Sequence, residues 1–180
     1  WHPDEIPASW FQSLGPVFVI TLAPVMASLW VGLARRNLDP SIPVKFGLGL
    51  LLLAAGFIVM AGGAKIIATG QKVWPTWLVT TYLIHTVGEL CLSPVGLSSV
   101  TKLAPRRLVG QMMGVWFLAA SLGNLLAGLL ASEFKADAVG EMPGQYLRIA
   151  ILPIAAGVLL MVLAGPIKRW TADTREAGEK

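Results

Sequence analysis

Between Phe46 and Ala64 the chain carries no charged or hydrogen-bonding side chain. A helix crosses the hydrocarbon core of a bilayer with about 20 largely apolar residues, and this chain approaches that length repeatedly. Five such runs are predicted as spanning helices, over 9–33, 44–66, 75–98, 109–132 and 146–167. Composition agrees: 55% of the 180 residues are hydrophobic and only 13% charged. A soluble domain of this length has more polar surface to present than that composition supplies. The expected fold is therefore an all-α, polytopic membrane helix bundle. A net charge of +4 would suit a nucleic-acid binder if the cations formed one face. They lie instead in short connectors between apolar runs, so the bilayer is the expected partner and nucleic acid is not.

Local signals place the helix ends. Ser9-Trp10-Phe11-Gln12 reads as a capping box, serine oxygen to the Gln12 amide and Gln12 side chain back. Asp39-Pro40-Ser41-Ile42-Pro43 is a turn that cannot continue a helix. Trp74-Pro75 puts proline in a first turn, where its missing donor costs nothing. Residues 1–8 read as an extracytoplasmic connector opening on Trp1-His2-Pro3-Asp4-Glu5, which makes the chain a piece of a longer protein. Residues 168–180 read as a cytoplasmic tail, disordered from Thr171 onward.

Basic residues set the orientation. Arg35, Arg36 and Lys45, then Lys102, Arg106 and Arg107, then Lys168 and Arg169, all fall on one side. The opposite connectors hold Asp4 and Glu5, Lys65 and Lys72, and Glu133, Lys135, Asp137 and Glu141. The arginine-rich side is cytoplasmic by the positive-inside rule. Trp10, Trp74 and Trp77 then mark the outer interface and Trp30 and Trp170 the inner one, while Trp116 alone falls in the apolar interior. The pair Gly110 and Gly114 suits close helix packing, inside the bundle rather than between copies.

Chemistry concentrates on the third span. Glu89 is the one carboxylate inside any span apart from Glu133 at an edge, and a charge at the bilayer centre costs about 2.5–3.5 kcal/mol on insertion scales. It is kept either for function or as a structural ion pair. Tyr82, His85, Glu89, Ser93 and Gly96 follow helical spacing as one polar stripe. His85, one turn from Glu89, either tunes that carboxylate or bonds a neighbouring helix. On the fourth span Phe117, Ser121, Asn124 and Gly128 share a face, with Trp116 beside it. Aromatics at this spacing more often pack than bind. Glu89 and Trp116 nevertheless sit at similar depth, counted from their helix midpoints, and are expected to line one layer of one cavity. A carboxylate beside an indole suits a ligand ammonium.

Enzyme readings find no support. Gly96-Leu97-Ser98-Ser99 is no nucleophile elbow, and the sequence has no second intramembrane carboxylate for a dyad, no metal motif and no phosphate loop. Cys91 is the single cysteine and reads as a small buried hydrophobe.

Three segments carry a resemblance. Trp10 through Phe18 (WFQSLGPVF), Glu89 through Ser98 (ELCLSPVGLS), and Met112 through Leu118 (MMGVWFL) followed by Gly123-Asn124 closely resemble the proton-dependent oligopeptide transporter family of the major facilitator superfamily. The resemblance covers most of the chain. It implies helices eight to twelve of a fold with two six-helix bundles, the C-terminal half, partnered by an N-terminal six-helix bundle. It further implies symport of di- and tripeptides with protons by alternating access, driven by the proton gradient with no cofactor and no metal. The location it implies is the inner (cytoplasmic) membrane, multi-pass, with a cytoplasmic C-terminus. In such proteins the carboxylate here at Glu89 faces the central cavity, contacts the peptide amino end and can pair with a basic residue of the other bundle. Trp116 and Phe117 would shape a side-chain pocket; His85, Ser93 and Asn124, from their places on the polar stripes, are expected to line the cavity or assist proton coupling. Two positions depart from the family. Gly15 stands where asparagine is common, so a hydrogen bond to the peptide backbone is lost or replaced by water, and Ala120 stands where some members have serine. Two alternatives stay open: a related carrier of another small solute, such as nitrate or an amino acid derivative, or a non-transporting structural subunit.

Overall fold

The computed structural model describes residues 8–132 and 140–178. Asp4, Glu5 and Trp1 in the first connector, and Glu133, Lys135 and Asp137 in the last outer one, lie outside the described residues. Six helices follow in order: α1 (Ala8–Gln12), α2 (Leu14–Arg35), α3 (Ile42–Ala68), α4 (Thr76–Leu103), α5 (Val109–Ser132) and α6 (Met142–Gly178). Five stretches are long and apolar enough to cross a membrane: Trp10–Arg35, Ile42–Ala68, Thr76–Leu103, Val109–Ser132 and Met142–Pro166.

Helix ends follow the local chemistry, with two corrections. Ser41 is extended (φ −60°, ψ 156°) and precedes α3, whose Pro43 sits in the first turn. Pro75 precedes α4, and its carbonyl accepts the Val79 N–H at 3.1 Å. Asn37 (φ 57°) ends α2 in the left-handed region. Its N–H reaches Ala34 O at 3.1 Å and that of Leu38 reaches Leu33 O at 2.9 Å, a Schellman closure that satisfies the last carbonyls. Ser9, however, is not a cap: α1 already begins at Ala8, and the helical path is interrupted only at Ser13. Nor is the chain unstructured from Thr171, because α6 continues to Gly178. Its helix-favouring Ala, Arg and Glu residues meet no proline beyond Pro166.

α3 is the centre of the bundle. It packs against α4 and α6, while α2 packs mainly against α4 and α5 makes a lighter contact with α4. Every buried residue of α3 is glycine or alanine, which lets neighbouring backbones approach where no hydrophobic force drives helices together in lipid. Gly47 and Gly49, about 200° apart around the helix, face opposite neighbours. A Cβ added at Gly49 would lie 2.8 Å from Gly88 O of α4, and one at Gly47 would lie 3.0 Å from Gly157 O of α6. The reciprocal distances are 2.9 Å and 3.0 Å, so both seams close backbone on backbone. By contrast α2 and α5 contain no buried residue. Ile20 on α2 and Leu118 on α5 are about 70% exposed (73% and 69%), faces suited to lipid or to further helices. Gly110 and Gly114, expected to serve internal packing, meet nothing within 4 Å among the described residues.

Candidate functional site

The predicted polar stripe of α4 divides between two surfaces. His85 turns toward α3, where its Nε2 lies 3.1 Å from Leu53 O. Its ring stacks at a tilt over Phe57, centroids 5.0 Å apart, and fills the space that the missing side chain of Gly56 leaves. Gly96 is likewise buried in a helix seam. Glu89 and Ser93, by contrast, lie on the exposed side of α4. The Glu89 carboxylate makes no hydrogen bond or ion pair among the described residues, although it lies close enough to His85 for electrostatic interaction. Helical periodicity put these residues within one broad arc; packing against α3 took the near edge of that arc and left the far edge open.

On α5 the aromatics also divide. Phe117 is 58% exposed, and Ala120 and Asn124 are exposed on the same helix. Ser121 turns its hydroxyl back to the Phe117 carbonyl at 2.9 Å. Trp116 is half-buried, with its six-membered ring against Gly96 of α4 and edge-on to Phe46 of α3. This corrects the depth expected from the sequence. The indole meets α4 at Gly96, seven residues and about 10 Å beyond Glu89 toward the C-terminal end of the helix at 1.5 Å per residue. Carboxylate and indole therefore bracket a stretch of the α4–α5 surface instead of sharing one layer.

Gly15, near the start of α2, has open space around it: an added Cβ meets nothing within 4 Å. An apolar groove of about 740 Å³ opens between α3, α5 and α6, walled by Leu53, Phe57, Leu126, Leu152 and Arg148 among others. None of the predicted site residues lines it, so volume and chemistry point to different places. Chemistry is the better guide, because a groove in an apolar bundle is also what a missing neighbouring helix or lipid tail leaves. No cluster of His, Cys, Asp or Glu that could hold a metal exists among the described residues.

Two contributors were not visible from sequence. Phe46 reads there as one more apolar residue, yet it backs Trp116. Lys45 reads as a cytoplasmic topology marker, yet its side chain is mostly buried, with Nζ 2.7 Å from Asp39 and 4.6 Å from the centre of the Trp30 ring. Only the adjacency of Lys45 and Phe46 at the start of α3 hints that this turn ties two neighbours at once.

A sequence model of the POT family matches residues 3–146. The chain belongs to the POT family. Among relatives, a peptide transporter of Yersinia enterocolitica is 45% identical over 95% of this chain and 34% of its own length. A di-/tripeptide transporter of Lactococcus lactis subsp. cremoris is 36% identical over 95% and 33%. The chain thus spans about a third of the length of these POT relatives. A crystal structure of a POT peptide transporter in complex with alafosfalin superposes with a TM-score of 0.82 at 38% identity, covering 94% of this chain and 34% of that one. A second POT family transporter, crystallised with a thioalcohol-conjugated peptide, gives 0.74 at 28% identity, covering 87% and 31%. The all-helical bundle with five candidate membrane spans matches the fold of these POT structures.

Proposed function

We propose that this chain is the C-terminal portion, helices eight to twelve, of a proton-coupled symporter of di- and tripeptides. The observation that carries the reading is Glu89: an exposed carboxylate, with no ion pair among the described residues, midway along a membrane-spanning helix. A charge left open at that depth costs several kcal/mol unless it meets water, a ligand or an opposite charge. Exposed Phe117 and Asn124 lie on the neighbouring α5, and the relatives are named peptide transporters.

In this reading Glu89 binds the ammonium of a peptide by ion pairing and charge-assisted hydrogen bonding. With no peptide bound it attracts a basic group of the N-terminal six-helix bundle. Peptide entry releases that attachment and lets the two bundles rock around the midplane site. Phe117 and Trp116 wall the side-chain pocket, while Asn124, Ser93 and Ala120 complete the polar and small surface around it. His85 sits one turn from Glu89, where a proton on its ring changes the local field. The proton gradient is the only energy source required, with no cofactor. The assembly lies in the cytoplasmic membrane with its C-terminus inside, and the five helices alone do not transport.

The test uses the full-length protein. Glu89→Gln keeps volume and hydrogen bonding and removes the charge. One charge-assisted contact is worth about 1.5–3 kcal/mol, or roughly 10- to 150-fold in Kd. A peptide with a free amino terminus should lose that much affinity, and its N-acetylated form far less. Equal losses for both ligands would show that Glu89 does not read the amino terminus. Proton-driven uptake at the wild-type rate in Glu89→Gln liposomes would remove it from coupling.

A further inference from the structure

α5 contains no buried residue, yet one of its side chains reaches into the bundle. Val115 and Leu118 near Trp116 are 58% and 69% exposed, whereas the Trp116 indole is seated among three helices. Its floor is Gly96 of α4. A Cβ built there would collide with Cη2 of the indole, lie 2.7 Å from its Cζ3, and lie 2.9 Å from Cζ of Phe46. No side chain larger than hydrogen fits beneath the ring in this position. Its wall is Phe46 of α3, edge to face at 6.5 Å between centroids and 88° between planes, the geometry that aromatic quadrupoles favour. Phe46 is itself held by its neighbour in sequence. Lys45 is paired with Asp39 at 2.7 Å and capped by the Trp30 ring, so the first turn of α3 has little freedom.

From this arrangement we infer that Phe46 and Gly96 are positioning residues for substrate selectivity. They form a socket that fixes the Trp116 indole and so sets the width of the side-chain pocket. Neither residue touches substrate. Phe46 acts by restricting the indole to one rotamer, and Gly96 by letting the ring reach α3. The inference rests on the reading of Trp116 as a pocket wall, and it adds the determinants that place it. Without the socket the indole becomes mobile. A bulky peptide side chain then loses a fixed apolar surface, while dialanine, too small to reach it, binds as before.

The test compares full-length protein carrying Phe46→Ala, Gly96→Ala, Trp116→Ala and the double variant Phe46→Ala/Trp116→Ala. Each is assayed for binding of dialanine and of dipeptides with Phe or Leu side chains. A parallel set labelled with 5-fluorotryptophan follows the ¹⁹F line of Trp116, assigned by its loss in Trp116→Phe. Phe46→Ala should weaken the bulky peptides about 3- to 10-fold, leave dialanine within twofold, and shift or broaden the Trp116 line. The double variant should be no worse than Trp116→Ala alone, as expected of residues acting through one group. Equal loss for all peptides, an unmoved ¹⁹F line, or additive losses in the double variant would overturn the socket while leaving the pocket reading intact. A Trp116→Ala variant with unchanged affinity for every peptide would overturn both. If Gly96→Ala does not fold, the Phe46 series alone separates these outcomes.

Discussion

His85 on α4 and the carbonyl of Leu53 on α3 meet at 3.1 Å across a seam in which Gly56 supplies the space for the ring. The contact joins two closely packed neighbours within the bundle. It also occupies one of the two imidazole nitrogens that proton coupling would use.

Removing that ring should therefore register first as lost stability. His85→Ala deletes one interhelical hydrogen bond and opens a cavity beside Phe57, a combined cost of about 1–3 kcal/mol. Thermal unfolding of the full-length protein in detergent should fall accordingly, with peptide affinity held within about threefold. Affinity or the pH profile of uptake collapsing at unchanged thermal stability would assign His85 to coupling instead.

Open space beside Gly15 predicts that a larger residue is accepted there. Gly15→Asn should leave stability near wild type, since an added Cβ meets nothing within 4 Å. It should tighten peptide binding by one neutral hydrogen bond, about 0.5–1.5 kcal/mol or roughly 2- to 10-fold. A peptide methylated at its backbone nitrogen should not gain. The same gain for both peptides would show that the introduced asparagine acts through the fold and not on the peptide backbone.

At the start of α3, Lys45 is the cation of the one ion pair among the described residues, with Asp39 half-exposed beside it. Lys45 also lies in the first turn of α3, where the helix dipole disfavours a cation, so its partners matter. Asp39→Asn should cost about 0.5–1 kcal/mol, the scale of a solvent-screened pair, and the cost should shrink in high salt. An equal loss at low salt and at about 1 M salt, where the screening length is about 3 Å, would attribute the effect to the turn and not to charge.

Orientation is checked by labelling. Leu38 and Thr69 end up in exposed connectors on opposite ends of α3. A cysteine at Thr69 should react with an impermeant maleimide added outside intact cells, and one at Leu38 should not. Native Cys91 is buried and gives a silent background. Labelling at Leu38 alone would invert the topology.

The number of spans was legible because each is written locally. Phe46 to Ala64 is apolar without interruption, and Ser41-Ile42-Pro43 and Trp74-Pro75 mark starts that backbone sterics enforce. Glu89 was legible for the same reason: a lone carboxylate in a span stands out with no knowledge of its neighbours. Which face of each helix packs was not legible. In lipid the surroundings are as apolar as a partner helix, so hydrophobic periodicity loses its meaning as a signal of inside and outside. The small residues that do mark the seams, such as Gly49 and Gly88, say that something approaches but not what. Only the tertiary structure turned His85 toward Leu53 while leaving Glu89 open four residues away. It alone seated Trp116 between Gly96 and Phe46, away from the depth its position along α5 suggested. Those outcomes depend on how far apart α3, α4 and α5 stand, and that spacing is set jointly by three segments, none of which encodes it alone.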